Sequence, residues 1–152
     1  MKNSNSLVIF TLDKQRYALP LHAAQRVVRM VAITPLPNAP DIILGVVNFH
    51  GQVIPVINVR SRFRLPERAI ALTDQLVFAR TARRPVALVV DTVLDVIANA
   101  EQKLIAPETI LPKIAYVEGV VKLSDGLILI HDLDAFLSLE EESTLDRALN
   151  TS

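Results

Sequence analysis

Apolar residues in this chain come in short runs rich in Val, Ile and Leu, separated by polar corners, a pattern of strands rather than helices. Leu7 to Leu12, the corner Asp13-Lys14-Gln15-Arg16 and Tyr17 to Leu21 read as a hairpin. Gly45-Val46-Val47-Asn48-Phe49 and Val53 to Val59 read as a second. It turns at His50-Gly51, where glycine supplies the positive φ of a two-residue corner. Apolar residues after that corner break strict alternation, so both faces of the hairpin are expected to be covered. Pro55 cannot donate to a ladder and is expected at an edge or a bulge.

The pattern then repeats. Gln75 to Arg80 and Pro85 to Asp91 form another hairpin, and Gly119-Val120-Val121 opens a hairpin that turns at Asp125-Gly126 and runs on to Leu133. Hairpin, linker, Gly-Val-Val hairpin occurs twice, which implies an internal duplication. Chance likeness between short apolar hairpins is the alternative. Between these units, His22 to Gln25 suits one helical turn, Arg26 to Val31 an extended run, and Val93 to Ile97 a strand. Pro35, Pro37 and Pro40 keep Thr34 to Asp41 extended. Glu101 to Pro112 is a second long connection, and Glu140-Glu141-Glu142 followed by Leu145 to Leu149 suits a terminal helix.

The chain is therefore read as all-β, with two small five-stranded β-barrel subdomains packed around a shared core, short helical turns and a short C-terminal helix. One domain spans 6–140, the first barrel mainly 6–72 and the second mainly 73–140, with exchange of strands between them left open. Residues 141–152 form a flexible or helical tail.

Composition sharpens this picture. Of 152 residues, 51% are hydrophobic and 21% charged, enough for a core and too apolar for disorder. Two barrels of about 65 residues would each be marginal alone, which favours packing together. The absence of Cys excludes disulfides, thiolate chemistry and Cys-based metal sites. With no signal-like opening and no apolar run of the ~18 residues a span requires, a cytoplasmic protein without membrane insertion is expected. Sixteen basic residues balance sixteen acidic ones, so no global field favours nucleic acid or anionic lipid. Locally the balance is uneven: Arg60 to Arg84 is rich in Arg, whereas Asp132 to Arg147 is acidic.

Candidate chemistry is sparse. His22, His50 and His131 stand singly, outside any metal-ligand spacing, and Asp91, Asp95, Asp132 and Asp134 suit turns and caps better than a carboxylate site. There is neither a phosphate-binding loop nor a nucleophile elbow. No catalytic, cofactor-binding or metal site is assigned, and the chain is read as non-enzymatic. Arg60, Arg62, Arg64 and Arg68 with Phe63 support a second reading, a small β-barrel that binds nucleic acid through a basic face with an aromatic platform. Neutral overall charge weighs against it. Arg60, Arg62 and Arg64 are then a basic face that steers an acidic protein partner.

Phe10-Thr11-Leu12 with Tyr17, Thr34-Pro35-Leu36-Pro37, the Gly45-x-x-Asn48-x-x-Gly51-x-x-x-Pro55 hairpin, Val89-Val90-Asp91-x-Val93, Ile105-x-Pro107, and Gly119 with Asp125-Gly126 together resemble the CheW family of bacterial chemotaxis coupling proteins. The resemblance runs from Leu7 to Leu137. It implies two packed five-stranded barrels and a non-enzymatic adaptor that bridges chemoreceptor cytoplasmic tips to the regulatory domain of a CheA-type histidine kinase. Recruitment to membrane-anchored receptor arrays is expected with it, and no cofactor, no nucleic acid and weak or no self-association are expected of the chain. Carried onto this chain, the receptor-contacting positions are Ala24, Arg26, Gly45, Asn48, His50 and Gly51. Two depart from the family pattern: His50 stands where Arg is usual, and Arg26 where Glu is frequent. A changed charge pattern alters which partner is accepted, so a divergent paralogue with a different receptor or kinase is expected. Apolar surface is expected around Ile42, Ile43 and Phe49.

Overall fold

Two-residue corners set the main hairpins. Asp13 and Lys14, at φ 50° and 71°, join β1 (Leu7–Leu12) to β2 (Gln15–Pro20). His50 and Gly51, at φ 54° and 81°, join β4 (Ile43–Phe49) to β5 (Gln52–Ile57). Two successive positive φ values match the right-handed twist of the strands they connect. The computed structural model describes residues 6–97, 104–105, 116–123 and 126–150. Asp125 and most of the second long connection lie outside these residues. The remaining elements are β3 (Ala24–Arg29), α1 (Val59–Arg62), β6 (Gln75–Arg80), β7 (Pro85–Val90), β8 (Thr92–Ile97), β9 (Leu104–Ile105), β10 (Val117–Leu123), β11 (Gly126–His131), a 3₁₀ turn at Leu133–Ala135, and α2 (Leu139–Asn150).

The strands form a six-stranded sheet, β8-β1-β2-β11-β10-β9, and a five-stranded sheet, β3-β6-β7-β5-β4. Leaving β9 aside, the two orders match strand for strand. An outer strand flanks a hairpin, and the hairpin joins a Gly-Val-Val hairpin or its counterpart through a parallel pairing, β2 on β11 and β7 on β5. The first hairpin of each repeat thus lies in the sheet completed by the other repeat. This is the physical form of the duplication, and each sheet draws on both halves of the sequence.

The expected barrels are curled but open, because neither sheet closes on itself, and one has six strands rather than five. At the seam of the five-stranded sheet, side chains and a crossing segment take the place of a ladder. Thr34 bridges Val46 through backbone hydrogen bonds of 2.9 and 2.8 Å, and Phe49 stacks on Phe78 at 4.5 Å. Pro55 sits in an inner strand opposite Val46, neither at the expected edge nor at the register shift between Ile43 and Gly45. It is tolerated there because β5 begins to pair with β7 only at Val56.

Among the described residues, three apolar cores follow from this arrangement. Leu7, Ile9, Ala18, Val121, Ile128 and Ile130 fill the six-stranded sheet. Val47, Ile54, Val56, Leu76, Phe78 and Ala87 fill the other. Between them lies the largest, with Phe10, Leu12, Leu19, Ile57, Leu88 and Phe136 among its members. Ile42 and Ile43 belong to this shared core, so they leave no apolar patch at the surface.

His131 lies in the middle of the shared core, fully buried, with neither ring nitrogen hydrogen-bonded. Aromatic rings enclose it: Phe63 stacks at 4.4 Å, and Tyr17, Phe136 and Phe10 lie at 4.8, 5.0 and 5.3 Å. Burial pushes its pKa down from 6.5 to about 3, so the imidazole is held neutral.

Two consequences can be measured. As pH falls below 6.5 the unfolded chain takes up a proton at His131 that the folded chain refuses until about pH 3. This group therefore costs up to about 1.4 kcal/mol of stability per pH unit across that window. Urea unfolding at pH 6.5 and pH 5 is expected to show this loss in the native chain and little of it in His131→Leu. An equal loss in both would place the titrating group elsewhere. A fragment of residues 1–72 carries β1 and β2 without the sheet that receives them, and is expected to show no cooperative unfolding by circular dichroism.

Candidate functional site

The hairpin corner of β4 and β5 is built by its own polar residues. Asn48 Oδ1 accepts a hydrogen bond from Gly51 N at 3.0 Å, so these two residues form the turn, and His50 is left exposed at its tip. The His50 ring meets Phe49 edge-on at 4.2 Å. Arg26, on the opposite edge strand β3, lies over the same Phe49 ring at 5.5 Å from its centroid. Curling of the sheet thus brings Arg26, Phe49 and His50 into one cluster that carries cationic and imidazole groups on an aromatic base. A cation over a ring at an exposed site contributes roughly 0.5–1 kcal/mol, enough to orient Arg26.

Ala24 and Gly45 serve different ends. Ala24 is half-buried against the shared core, opposite Ala79. Gly45 is buried at φ 153°, and a Cβ there would stand 2.3 Å from the Thr34 carbonyl oxygen. It is the position that lets the 34–46 bridge form. Five residue steps along extended chain separate it from His50, roughly 17 Å.

The basic run does not form the open face expected of it. Arg60 pairs with Asp13 at 2.7 Å and with Asp91 at 3.0 Å, and donates to the Pro66 carbonyl at 3.0 Å. Arg68 pairs with Asp74 at 2.7 Å and with Asp91 at 2.6 Å. Asp91 also accepts from Asp13 N at 2.9 Å, so a single carboxylate ties together the β1–β2 corner, α1, the β7–β8 crossing and the 64–74 loop. Hydrogen bonding to Asp13 raises the Arg60 pKa further, against the opposing effect of burial. Burial tends to raise the Asp91 pKa, but the Asp13 N–H and the two guanidiniums outweigh it and hold this carboxyl below its usual value.

Arg62 forks onto both Glu141 oxygens at 2.9 and 2.8 Å and lies over Tyr116. Of the three proposed steering residues, Arg60 and Arg62 are thus neutralised within the chain, while Arg64 is exposed at φ 59°. Phe63 faces His131 in the core rather than offering a platform to bases.

The other candidates are dispersed. Asp134 accepts from Ala82 N at 2.7 Å, Asp95 from Val96 N at 2.7 Å, and His22 is exposed. No group of His, Cys, Asp or Glu among the described residues is arranged to hold a metal. Also among the described residues, no helix is long and apolar enough to cross a membrane.

Sequence reasoning missed the part played by Phe78, whose ring links Phe49 to the sheet, and by Arg84, which pairs with Glu142 at 2.9 Å. It also missed α1. Asn58 was the available signal, for its Oδ1 caps Ser61 N at 3.1 Å. The outer strands β3 and β8, which hold equivalent places in the two sheets, expose Val27, and Leu94 and Val96 respectively.

These features describe a duplicated all-β scaffold whose charged side chains mostly hold its own parts together. A family model described as CheW-like domain matches residues 6–141. The chain is 30% identical to the chemotaxis protein CheW of Klebsiella aerogenes over 141 residues, 91% of this chain and 85% of that protein. It is 27% identical to the chemotaxis protein CheW of Bacillus subtilis over 146 residues, 95% and 94% of the two. In structure it is similar to the scaffolding protein TtCheW of Thermoanaerobacter tengcongensis, with a TM-score of 0.81 and 29% identity, covering 91% of this chain and 95% of that one. The chain belongs to the CheW-like family, whose members are non-enzymatic scaffolds of chemotaxis.

Gly45→Ala is expected to lower stability by roughly 2 kcal/mol or more, because the added Cβ must push Thr34 off β4 and L-residues avoid this φ. Thermal melting of the variant measures the loss. An unchanged midpoint would mean that the bridge contributes little.

Proposed function

We propose that this chain couples the cytoplasmic tips of chemoreceptors to the regulatory domain of a CheA-type histidine kinase, as a cytoplasmic adaptor recruited to membrane-anchored receptor arrays. The observation that carries the reading is the cluster that Arg26 and His50, at positions the resemblance assigns to receptor contact, form on the ring of Phe49 in a chain of this family. Asn48 and Gly51 shape the corner that presents His50, and Gly45 and Ala24 hold the strands behind it. Exposed Val27, Leu94 and Val96 add apolar area on the outer strands, suited to modest interfaces that gain strength from many copies in an array.

Arg26 and His50 give this corner a more basic character at the first position and a weaker, narrower donor set at the second than the family pattern has. Complementary charge selects partners more than it raises affinity, so the chain serves a receptor or kinase distinct from those of the main motility system. Nucleic acid is disfavoured as a partner. Arg60, Arg62 and Arg68 already have carboxylate counter-ions, and Phe63 is turned inward.

Arg26→Asp and His50→Asp, both at exposed sites, are expected to leave the melting temperature within a few degrees of the parent. Each is expected to weaken recruitment to receptor–kinase complexes tenfold or more, as read by co-sedimentation with receptor-bearing membranes. Unchanged recruitment would remove the corner from the interface.

A further inference from the structure

The C-terminal helix is seated by charge as well as by apolar burial. Ser138 caps it: the Ser138 hydroxyl accepts from Glu141 N at 3.1 Å while Glu141 Oε1 accepts from Ser138 N at 2.9 Å. On its inner side Leu145 and Ala148 are buried, with Leu149 partly so. The other anchors are ion pairs. Arg62 forks onto Glu141, Arg84 Nε donates to Glu142 at 2.9 Å, and Arg84 Nη2 pairs with Asp146.

Both cations belong to the body of the protein, Arg62 to α1 and Arg84 to the β6–β7 corner, and their side chains are only 14% and 13% exposed. If α2 left, two guanidiniums that it helps to bury would lose their counter-charges. An apolar helix in its place would leave them unpaired, which selects strongly against it. Beside the Arg62–Glu141 pair lies an open cavity of about 490 Å³ walled by Asp41, Ile42, Arg62, Phe63, Arg64 and Tyr116.

We infer that the seat of α2 is a binding surface for an acidic amphipathic helix of a partner protein, and that α2 is its resident competitor. The chain's own segment shows which chemistry fits: carboxylates at 141, 142 and 146 beside apolar side chains at 145 and 148. A helix of 12 residues is marginal by itself in water, and salt weakens the two pairs whose carboxylates reach the surface, those of Glu141 and Asp146, which is where exchange would begin. The surface uses residues other than Arg26, Phe49 and His50, so it stands or falls separately from the coupling role proposed above.

The test uses the full-length chain and, as probe, a fluorescein-labelled peptide of residues 137–152. In the double variant Glu141→Gln/Asp146→Asn, backbone amides of 139–150 are expected to exchange with deuterium at least tenfold faster than in the parent. The variant is expected to bind the peptide at least tenfold more tightly than the parent does, by fluorescence anisotropy at low salt. Adding Arg62→Ala to the variant is expected to abolish that gain. A peptide with Gln at 141 and 142 and Asn at 146 is expected not to bind. Unchanged protection of α2, equal binding by parent and variant, absence of binding to both, or equal binding of the amide peptide would each overturn the inference.

Discussion

The exchange of hairpins between the two repeats is the constraint on which the rest of this molecule depends. The β1–β2 hairpin completes a sheet with β10 and β11, and the β6–β7 hairpin completes one with β4 and β5. Neither sheet can form from one half of the sequence. The largest apolar core consequently lies between the sheets, where Phe10, Leu19, Ile57 and Leu88 meet Phe136. A body assembled this way is tied together across its middle by one apolar core that both halves of the sequence fill.

Charge seals what apolar burial assembles. Asp91 sits where β7 passes into β8, and through Arg60, Arg68 and Asp13 it fastens the β1–β2 corner to α1 and to the 64–74 loop. Arg62 and Arg84 perform the same office for α2. Forked guanidiniums suit these places because each can satisfy two acceptors at once and stays charged when partly buried. The contrast with His131 is instructive. It lies enclosed by rings with both nitrogens unpaired, and the same low-polarity surroundings that suit those rings keep it neutral.

Much of the fold was legible because strand and corner signals are local. Gly51 after His50, the two Gly-Val-Val runs and the polar corner at Asp13 each mark a hairpin through nearest-neighbour geometry alone. The candidate site was only partly legible. Asn48, His50 and Gly51 act through their own turn and could be read in place, whereas the meeting of Arg26 with Phe49 requires the two edges of a curled sheet to approach each other. Gly45 was singled out for a partner contact, yet its structure gives it a nearer duty, making room for the Thr34 carbonyl.

The order of hydrophobic runs and the short C-terminal helix were determined by the sequence by itself, since each depends on periodicity within a few residues, and the duplication by the recurrence of the same order of runs. The uneven charge was visible there too, with Arg-rich residues before position 85 and acidic ones after 131. That the two blocks neutralise each other, Arg62 with Glu141 and Arg84 with Glu142, was decided only by tertiary structure. Ion pairing depends on separation in space, and residues 58 or 79 positions apart become neighbours only once the sheets have exchanged their hairpins.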